Sequence, residues 1–256
     1  MELTEDSLPF ITGMGYRNKC DFIYDEFFQF NINDVIQFDE MKIFVKTDML
    51  FEFIDNVMSK INKKFILYTH NSDLCIDINY NKLLNSEYLI KWYGQNVNIN
   101  HPKLISIPIG IANRRWSHGN VDILKKIISE KNKKENLVYC NIDINTNLIE
   151  RNRCLKEIYP ITNSSKIDFE SYLREVSKSY FVISPNGNGI DCHKTWESIY
   201  LKSIPIVTKS INISFYQNFP ILIIDDWSDF KNIELSERLY HKIMLNYENF
   251  SNSFII

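Results

Sequence analysis

Apolar residues recur along the chain in two patterns that alternate with each other. Short runs rich in β-branched and aromatic side chains predict buried strands, and apolar residues three or four positions apart predict amphipathic helices. In the first half, strands are predicted at 42–46, 64–69 and 104–110, and helices at 50–61, near 80–93 and near 120–131. The residues before 42 are predicted to be irregular. This alternation is typical of α/β proteins.

The second half repeats the alternation after a lysine-rich run at 131–134, which we interpret as a solvated connector. Strands are predicted at 137–141, 180–184, 204–207 and 220–225, and helices near 148–158, 168–178, 192–202 and 234–248. We therefore predict two Rossmann-like α/β domains, 1–132 and 133–256. Small ligands often bind where domains meet, so the expected site is a central cleft that the two domains face.

The stretch from Ser184 to Glu197 carries the most informative chemistry. It reads as a strand end, a turn holding two of the seven glycines, and a helix start with polar residues. Ligands of α/β sheets bind beyond the carboxyl ends of the strands, and a helix N-terminus favours anions. The stretch therefore predicts a diphosphate site, with contacts from Asn186, Gly187, Asn188, Gly189, Ile190, Asp191, His193 and Lys194. The plainer alternative is a tight turn in which the glycines adopt positive φ and Asp191 caps the helix.

Motif spacing removes several other functions. The turn is neither a Walker A loop nor a full dinucleotide fingerprint, because position 192 is Cys and no third glycine follows. A nucleophilic Cys192 at a helix N-terminus is conceivable, but no histidine and carboxylate are placed to support it. The five cysteines and five histidines show no metal-ligand spacing.

Composition indicates which binding partners and which cellular compartment to expect. The 256 residues are 45% hydrophobic and carry a net charge of −3, with basic residues scattered rather than gathered into the face that nucleic acid requires. Unpaired cysteines indicate a reducing compartment, so we expect a cytoplasmic protein. The acidic first residues do not resemble a signal peptide, and no apolar run is long enough to span a membrane.

The residues F-V-I-S-P-N-G-N-G-I-D at 181–191, H-K-T-W-E at 193–197 and I-P-I-V at 204–207 together resemble the donor-binding half of exostosin-type glycosyltransferases. The resemblance covers about 30 residues and is diffuse elsewhere. Lys202 departs from the family pattern, which often has glycine before the I-P strand. The resemblance implies a GT-B-like fold and transfer of a sugar from a nucleotide-diphosphate donor, with UDP favoured, to a glycan or other hydroxyl acceptor.

Within this resemblance, Lys194 or His193 is expected to supply positive charge to the leaving diphosphate, and Glu197 to accept from the ribose hydroxyls. The absence of any D-x-D triplet favours a transfer that needs no metal ion, and no cofactor is expected. The transfer is expected to be inverting. Polar loops in the first half predict Asp73 and His70 as candidates for the catalytic base. Arg114 and Arg115 are weaker candidates for reaching the diphosphate.

Two alternatives remain open at this point. The first is a module that binds a nucleotide or glycan through the same turn without catalysing transfer. An enzyme that acts on a nucleotide sugar without transfer, such as an epimerase or a donor hydrolase, is the second. For Lys194 and Glu197 the plainer role is that of solvated helix side chains, and for His70 and Asp73 that of ordinary loop residues.

Overall fold

The structure is a computed structural model that describes residues 7–30, 33 and 40–253. The chain divides into two compact units, Met1–Ile109 and Gly110–Ile256, here called the first and second units. Each unit contains one parallel sheet accompanied by helices. The predicted α/β class is confirmed.

The sheet of the first unit has five described strands, and each pairs in parallel with the next along the chain. These strands are β1 (Phe22–Tyr24), β2 (Glu40–Lys46), β3 (Lys64–His70), β4 (Leu89–Gly94) and β5 (Leu104–Ser106). The described helices of this unit are α1 (Gly13–Arg17), α2 (Leu50–Asn56) and α3 (Asn81–Leu84), with short 3-10 turns at Thr47–Met49, Met58–Lys60 and Ile78–Tyr80. The strand predictions at 42–46 and 64–69 are confirmed, as is a helix starting at residue 50.

The predicted helix near 80–93 is wrong. Helical structure ends at Leu84, and the following aromatic and β-branched residues form β4 between β3 and β5. The buried Trp92 donates through Nε1 to Thr69 Oγ1 at 2.8 Å, which ties β4 to β3. Sheet pairing thus overrides the apparent helical spacing. The expectation of an irregular start is also wrong over α1 and β1.

The second unit has four described strands, again paired in parallel and in chain order. They are β6 (Asn136–Tyr139), β7 (Ser179–Ile183), β8 (Ile204–Thr208) and β9 (Leu222–Ile224). The described helices are α4 (Val121–Glu130), α5 (Leu148–Glu157), α6 (Phe169–Ser177), α7 (His193–Tyr200), α8 (Ile211–Ser214), α9 (Glu237–Met244) and α10 (Tyr247–Ser253), with 3-10 turns at Ser117–Gly119, Ile144–Thr146 and Trp227–Asn232. All strands predicted here are confirmed, and the predicted final helix is divided between α9 and α10.

The division between the units falls before α4, whereas the sequence placed it near residue 132. Helix α4 packs against α6 of the second unit. Lys126 of α4 pairs with Glu170 of α6 at 2.9 Å, and each helix has buried apolar residues, Leu124 and Leu173 among them. The connection at 131–134 is therefore internal to the second unit.

Lys134 shows that this connection is more than a solvated linker. Its ammonium donates to the carbonyls of Ser177 at 2.9 Å and Leu201 at 3.3 Å, and to Ser203 Oγ at 2.6 Å. These carbonyls lie at the C-terminal ends of α6 and α7, where backbone oxygens lack helical partners. Burial lowers the pKa of Lys134 to about 7, and the charge of Lys202 lowers it further. Lys134 thus joins two helix ends.

Strand order in the two sheets bears on where a ligand can bind. Doubly wound sheets place their ligand crevice where the strand order reverses. Among the described strands, both sheets run in sequential order without a reversal. The strand order therefore does not support the predicted ligand site. The other part of that prediction, a ligand at the carboxyl end of β7 where the loop leading into α7 begins, stays a prediction.

Candidate ligand-binding site

The loop between β7 and α7, residues 184–192, is fixed at its start by the strand beside it. The Ser184 amide donates to the Ile206 carbonyl of β8 at 2.9 Å. The Ser184 and Thr195 hydroxyls, both buried, share a hydrogen bond of 2.9 Å between loop and helix. These two hydrogen bonds therefore fix the direction in which the loop leaves the sheet.

Helix α5 holds the glycine part of the loop. Asn147, the N-cap of α5, donates from Nδ2 to the Gly187 carbonyl at 2.9 Å. Arg151, one turn later, donates from Nε to the Asn186 carbonyl at 3.0 Å and from Nη1 to the Asp143 carbonyl at 2.6 Å. A guanidinium that spans two carbonyls fixes both the loop and its own position.

Gly187 is required for space rather than for backbone conformation. Of the described glycines, Gly110 alone has a positive φ, at 66°, so the turn does not use left-handed glycines. A Cβ on Gly187 would lie 2.9 Å from Arg151 Nη2. The glycine thus allows the guanidinium to approach the loop backbone.

Asp191 braces the junction of loop and helix. Its Oδ1 accepts from the Cys192 amide at 2.9 Å and from Trp196 Nε1 at 2.8 Å, and the residue is buried. The N-cap of α7 is Cys192, whose side chain makes no capping hydrogen bond. Capping by Asp191 is therefore wrong in detail, although Asp191 does anchor the first turn. Burial raises the pKa of the Cys192 thiol to about 11, which argues against a thiolate nucleophile.

Space behind the loop is nearly filled. A cavity of about 10 Å³ lies between the loop and the residues that follow β8, with Ser184, Asn186, Thr208 and Ser210 in its wall. A cavity of this size accommodates roughly one water molecule. Asn188, at the tip of the loop, is exposed. A ligand would therefore contact the solvent-exposed side of the loop rather than enter the cavity behind it.

Lys194 and Arg151 place two positive charges beside the loop. The half-buried Lys194 ammonium donates to the Asn141 carbonyl beyond β6 and lies 5.9 Å from the centre of the Tyr172 ring. Burial lowers the pKa of Lys194, and the charge of Arg151 lowers it further. An anion bound near both cations would relieve this repulsion.

Glu197 lies one turn further along α7 and is only 4% exposed. Its Oε2 accepts from the Tyr172 hydroxyl at 2.9 Å. Burial raises the pKa of Glu197 to about 7, although the Tyr172 hydrogen bond and the charge of Lys194 act in the opposite direction. Glu197 is thus not the solvated carboxylate of the plainer alternative.

His193 is held by the backbone of the same unit. Its Nδ1 lies 2.8 Å from the Gly110 carbonyl oxygen, and its ring centre lies 6.1 Å from that of His118. The pKa of His193 is lowered to about 4, mainly by burial, with His118 acting in the same direction. The imidazole is therefore neutral near pH 7, which argues against His193 as a source of positive charge for a diphosphate.

The two candidate arginines lie in the segment before α4. Arg114 Nη2 pairs with Asp122 Oδ2 at 2.6 Å, with both side chains exposed, as in an ordinary surface ion pair. The Arg115 guanidinium lies 5.6 Å from the ring centre of the exposed Trp116. Neither contact involves the β7–α7 loop.

The first-unit candidates for the base are placed differently from each other. His70 is 2% exposed, with Nε2 3.1 Å from the Pro108 carbonyl oxygen and Nδ1 accepting from the Asn71 amide at 2.7 Å. Both ring nitrogens are therefore engaged, as in a structural histidine. Asp73 lies on an exposed loop position. The geometry gives neither residue the features of a positioned base.

Sequence reasoning missed Asn147, Arg151, Tyr172 and His118. Asn147 and Arg151 stand four residues apart at the start of a helix, a spacing that places both on one face. That spacing was available in the sequence, but nothing linked it to a loop more than thirty residues away. Tyr172 could be found only by its contact with Glu197.

In the part of the chain that the structure describes, no group of three or more His, Cys, Asp or Glu residues is arranged to hold a metal ion. No described helix is both long enough and apolar enough to cross a membrane. Comparison of the chain with models of known protein families gives no match, and comparison with curated proteins gives none either.

Proposed function

We propose that the second unit binds a nucleotide-diphosphate sugar at the β7–α7 loop and that the protein transfers the sugar to a hydroxyl acceptor. The substrate class rests on the resemblance of the 181–207 segment to exostosin-type glycosyltransferases, and a GT-B-like arrangement is part of the same proposal. UDP is the favoured nucleotide, and inversion without a metal ion is the favoured course.

One observation carries the proposal: Lys194 and Arg151 hold two positive charges at the outer end of a parallel strand, beside a glycine loop and a helix N-terminus. Burial is the main cause of the lowered pKa of Lys194, and repulsion from Arg151 adds to the free-energy cost of holding both charges in the ligand-free protein. A diphosphate carries the opposite charge and accepts several hydrogen bonds, so its binding would offset that cost. The same cations would stabilise the diphosphate as it leaves.

Glu197 has the chemistry for the ribose. An ionised carboxylate can accept from two neighbouring hydroxyls, and the pKa of about 7 means that Glu197 is only partly ionised near neutral pH in the ligand-free protein. Hydroxyl donors from a ribose would favour the ionised form. Tyr172 already orients one oxygen of this carboxyl.

A non-catalytic nucleotide-binding module is the second candidate. It is favoured by the state of the first-unit residues, since His70 uses both ring nitrogens within the protein and Asp73 is an exposed loop carboxylate. Such a module would bind the same nucleotides at the same loop and release no product.

The test is calorimetric titration and thermal denaturation with UDP, GDP, CMP, ADP and their sugar conjugates. Ligand at ~100 times its dissociation constant should add about 2.7 kcal/mol to the free energy of unfolding. Lys194→Met removes a charged hydrogen-bond donor and should weaken binding of the effective nucleotide by about tenfold or more. The matched control is Lys209→Met, because Lys209 makes only an exposed pair with Asp225.

Binding that Lys194→Met and Lys209→Met weaken equally would contradict the assignment of the loop. If no member of the panel binds, the proposed donor class is wrong. Release of nucleotide from a bound sugar conjugate in the presence of simple sugar acceptors separates the transferase from the binding module.

A further inference from the structure

The hydrogen bond between His193 and Gly110 determines which ring nitrogen carries the proton. A carbonyl oxygen can only accept, so Nδ1 must donate across the 2.8 Å contact. In a neutral imidazole the remaining lone pair then resides on Nε2. Gly110 has a φ of 66°, a conformation that glycine adopts readily, so the direction of this carbonyl depends on glycine at position 110.

Nε2 of His193 is available to a ligand. Within the described residues its ring makes one hydrogen bond, through Nδ1, and Nε2 is not among the buried polar atoms that lack a partner. Because the residue is half-buried and Nε2 is neither hydrogen-bonded within the described residues nor fully buried, this nitrogen keeps some exposure to solvent. This is the arrangement of a positioned base, in which one nitrogen is oriented by the protein and the other is free to take a proton.

The position of His193 is as informative as its tautomer. His193 is the first residue of α7 and directly follows the β7–α7 loop. Glu197 stands four residues later, on the same face of the helix, and Lys194 is adjacent. His193 thus lies on the same helix as Lys194 and Glu197, to which the proposed function assigns the donor.

We propose that His193, rather than His70 or Asp73, is the catalytic base of the transfer. This inference rests on the proposed function. Nε2 takes the proton of the acceptor hydroxyl as its oxygen forms a bond to the anomeric carbon. The bond between that carbon and the β-phosphate oxygen breaks, and its electron pair leaves with the nucleoside diphosphate. The imidazolium later releases the proton to water.

The local electrostatics make His193 a weak base until a donor is bound. In the ligand-free protein the ring is unprotonated at neutral pH, because burial and His118 lower its pKa to about 4. The negative charge of a bound diphosphate raises the pKa of a neighbouring imidazole, so the tendency of His193 to accept a proton increases once the donor is in place. Gly110 keeps the ring oriented throughout.

The experiment compares two substitutions with wild type. His193→Asn keeps an N–H group near the position of Nδ1, so the hydrogen bond to Gly110 can survive while the basic lone pair is removed. His193→Ala leaves space for added imidazole. The control is His241→Ala, because His241 is exposed on α9. UDP binding is measured by calorimetry, and transfer is measured as nucleotide release from UDP-sugars with simple sugar acceptors and with azide, a nucleophile that carries no proton to remove.

We expect both His193 variants to bind UDP within about threefold of wild type and to lose about 10²- to 10⁴-fold in transfer to hydroxyl acceptors. Imidazole should restore part of the transfer by His193→Ala, and azide should react at a similar rate with variant and wild type. A merely structural histidine would give neither form of rescue.

Transfer by His193→Asn within tenfold of wild type would overturn the assignment of the base and leave the proposed function standing. A loss that neither imidazole nor azide relieves would overturn it as well. Failure of wild type to bind UDP or any other nucleotide of the panel contradicts the proposed function itself, and the base assignment then falls with it.

Discussion

Glu197 is a buried carboxyl whose protonation state depends on its surroundings. Its pKa rises from 4.5 to about 7 on burial. A carboxyl with a higher pKa in the folded chain favours folding below its unfolded pKa, and this contribution is lost as pH rises through the folded pKa. The ligand-free protein should therefore lose stability between about pH 4.5 and pH 7.

Glu197→Gln isolates this effect, because the amide oxygen can still accept from Tyr172 but does not ionise. We expect the variant and wild type to be similarly stable at pH 4.5, and the variant to be more stable at pH 8 by on the order of 3 kcal/mol. Urea denaturation across this pH range measures the difference. Parallel stability curves would show that Glu197 does not titrate in the folded protein as described.

Lys202 adopts a backbone conformation that favours glycine. It has a φ of 55°, in the left-handed region where a side chain is disfavoured, and its carbonyl accepts from the Tyr240 hydroxyl at 2.8 Å. Glycine adopts this conformation without the cost of about 1 kcal/mol that other residues bear. A glycine at position 202 would thus avoid this cost.

We expect Lys202→Gly to raise the free energy of unfolding by up to about 1 kcal/mol. Lys202→Ala is the control, since it removes the same contact of the ammonium with the Tyr247 ring but retains a Cβ. Thermal and urea denaturation measure the free energy of unfolding of both variants. An equal change in this free energy for Lys202→Gly and Lys202→Ala would count against the conformational explanation.

At the scale of the element, helix α5 holds the β7–α7 loop in place, although the two are distant in the sequence. Arg151 donates to two carbonyls, whereas Arg153 on the same helix pairs with Asp226 at the surface. We expect Arg151→Ala to lower the free energy of unfolding by about 1–3 kcal/mol, and Arg153→Ala to change it by less than ~1 kcal/mol. Urea denaturation gives the comparison.

Hydrogen exchange provides a second measurement of the same contact. Amides of the β7–α7 loop should exchange faster in Arg151→Ala than in wild type or Arg153→Ala, because the loop loses its tie to α5. Unchanged exchange in the loop would mean that Asn147 and the ties of Ser184 suffice to hold it.

Elements whose pattern is local were predictable from sequence. The runs ending at Ile183 and Thr208 combine β-branched residues with flanking turn signals, and α4 shows regular apolar spacing up to Glu130. Residues 88–93 were assigned to a helix because apolar spacing was weighed above the aromatic and β-branched composition that β4 uses. Strand order could not be derived, since it depends on pairing between distant segments.

The positions of the loop and helix that form the candidate site were predictable, but their contacts were not. The loop and α7 lie where the glycines and polar residues placed them. The roles of three residues differ from those expected from the sequence, because burial depends on tertiary structure. His193 is neutral, Asp191 accepts a hydrogen bond from Trp196, and His70 is held by the backbone. Arg151 entered the site from another helix, which no local pattern indicates.

At the scale of the whole molecule, the division at Gly110 predicts which fragment folds alone. A fragment of residues 110–256 retains α4, which packs against α6 and carries the buried Leu124 and Ile127. A fragment of residues 133–256 lacks this helix and exposes the buried Leu173 of α6. We expect the longer fragment to unfold cooperatively with well-dispersed amide resonances, and the shorter one to be less stable by several kcal/mol.

Circular dichroism and two-dimensional NMR spectra of both fragments test this prediction. Because the longer fragment contains the loop, α5, α6 and α7, its nucleotide binding can be measured by the same titrations as for the full chain. Cooperative folding of the shorter fragment with equal stability would favour a boundary near 132 instead.

The sequential strand order has a consequence for synthesis. In each sheet, every described strand pairs with the strand made just before it, so a newly completed strand finds its partner already outside the ribosome. Neither described sheet has to wait for a strand inserted later between earlier ones. Loop-closure costs stay modest when partners are close in the chain. Each sheet can therefore grow one edge at a time as the chain emerges, in the order in which the strands are translated.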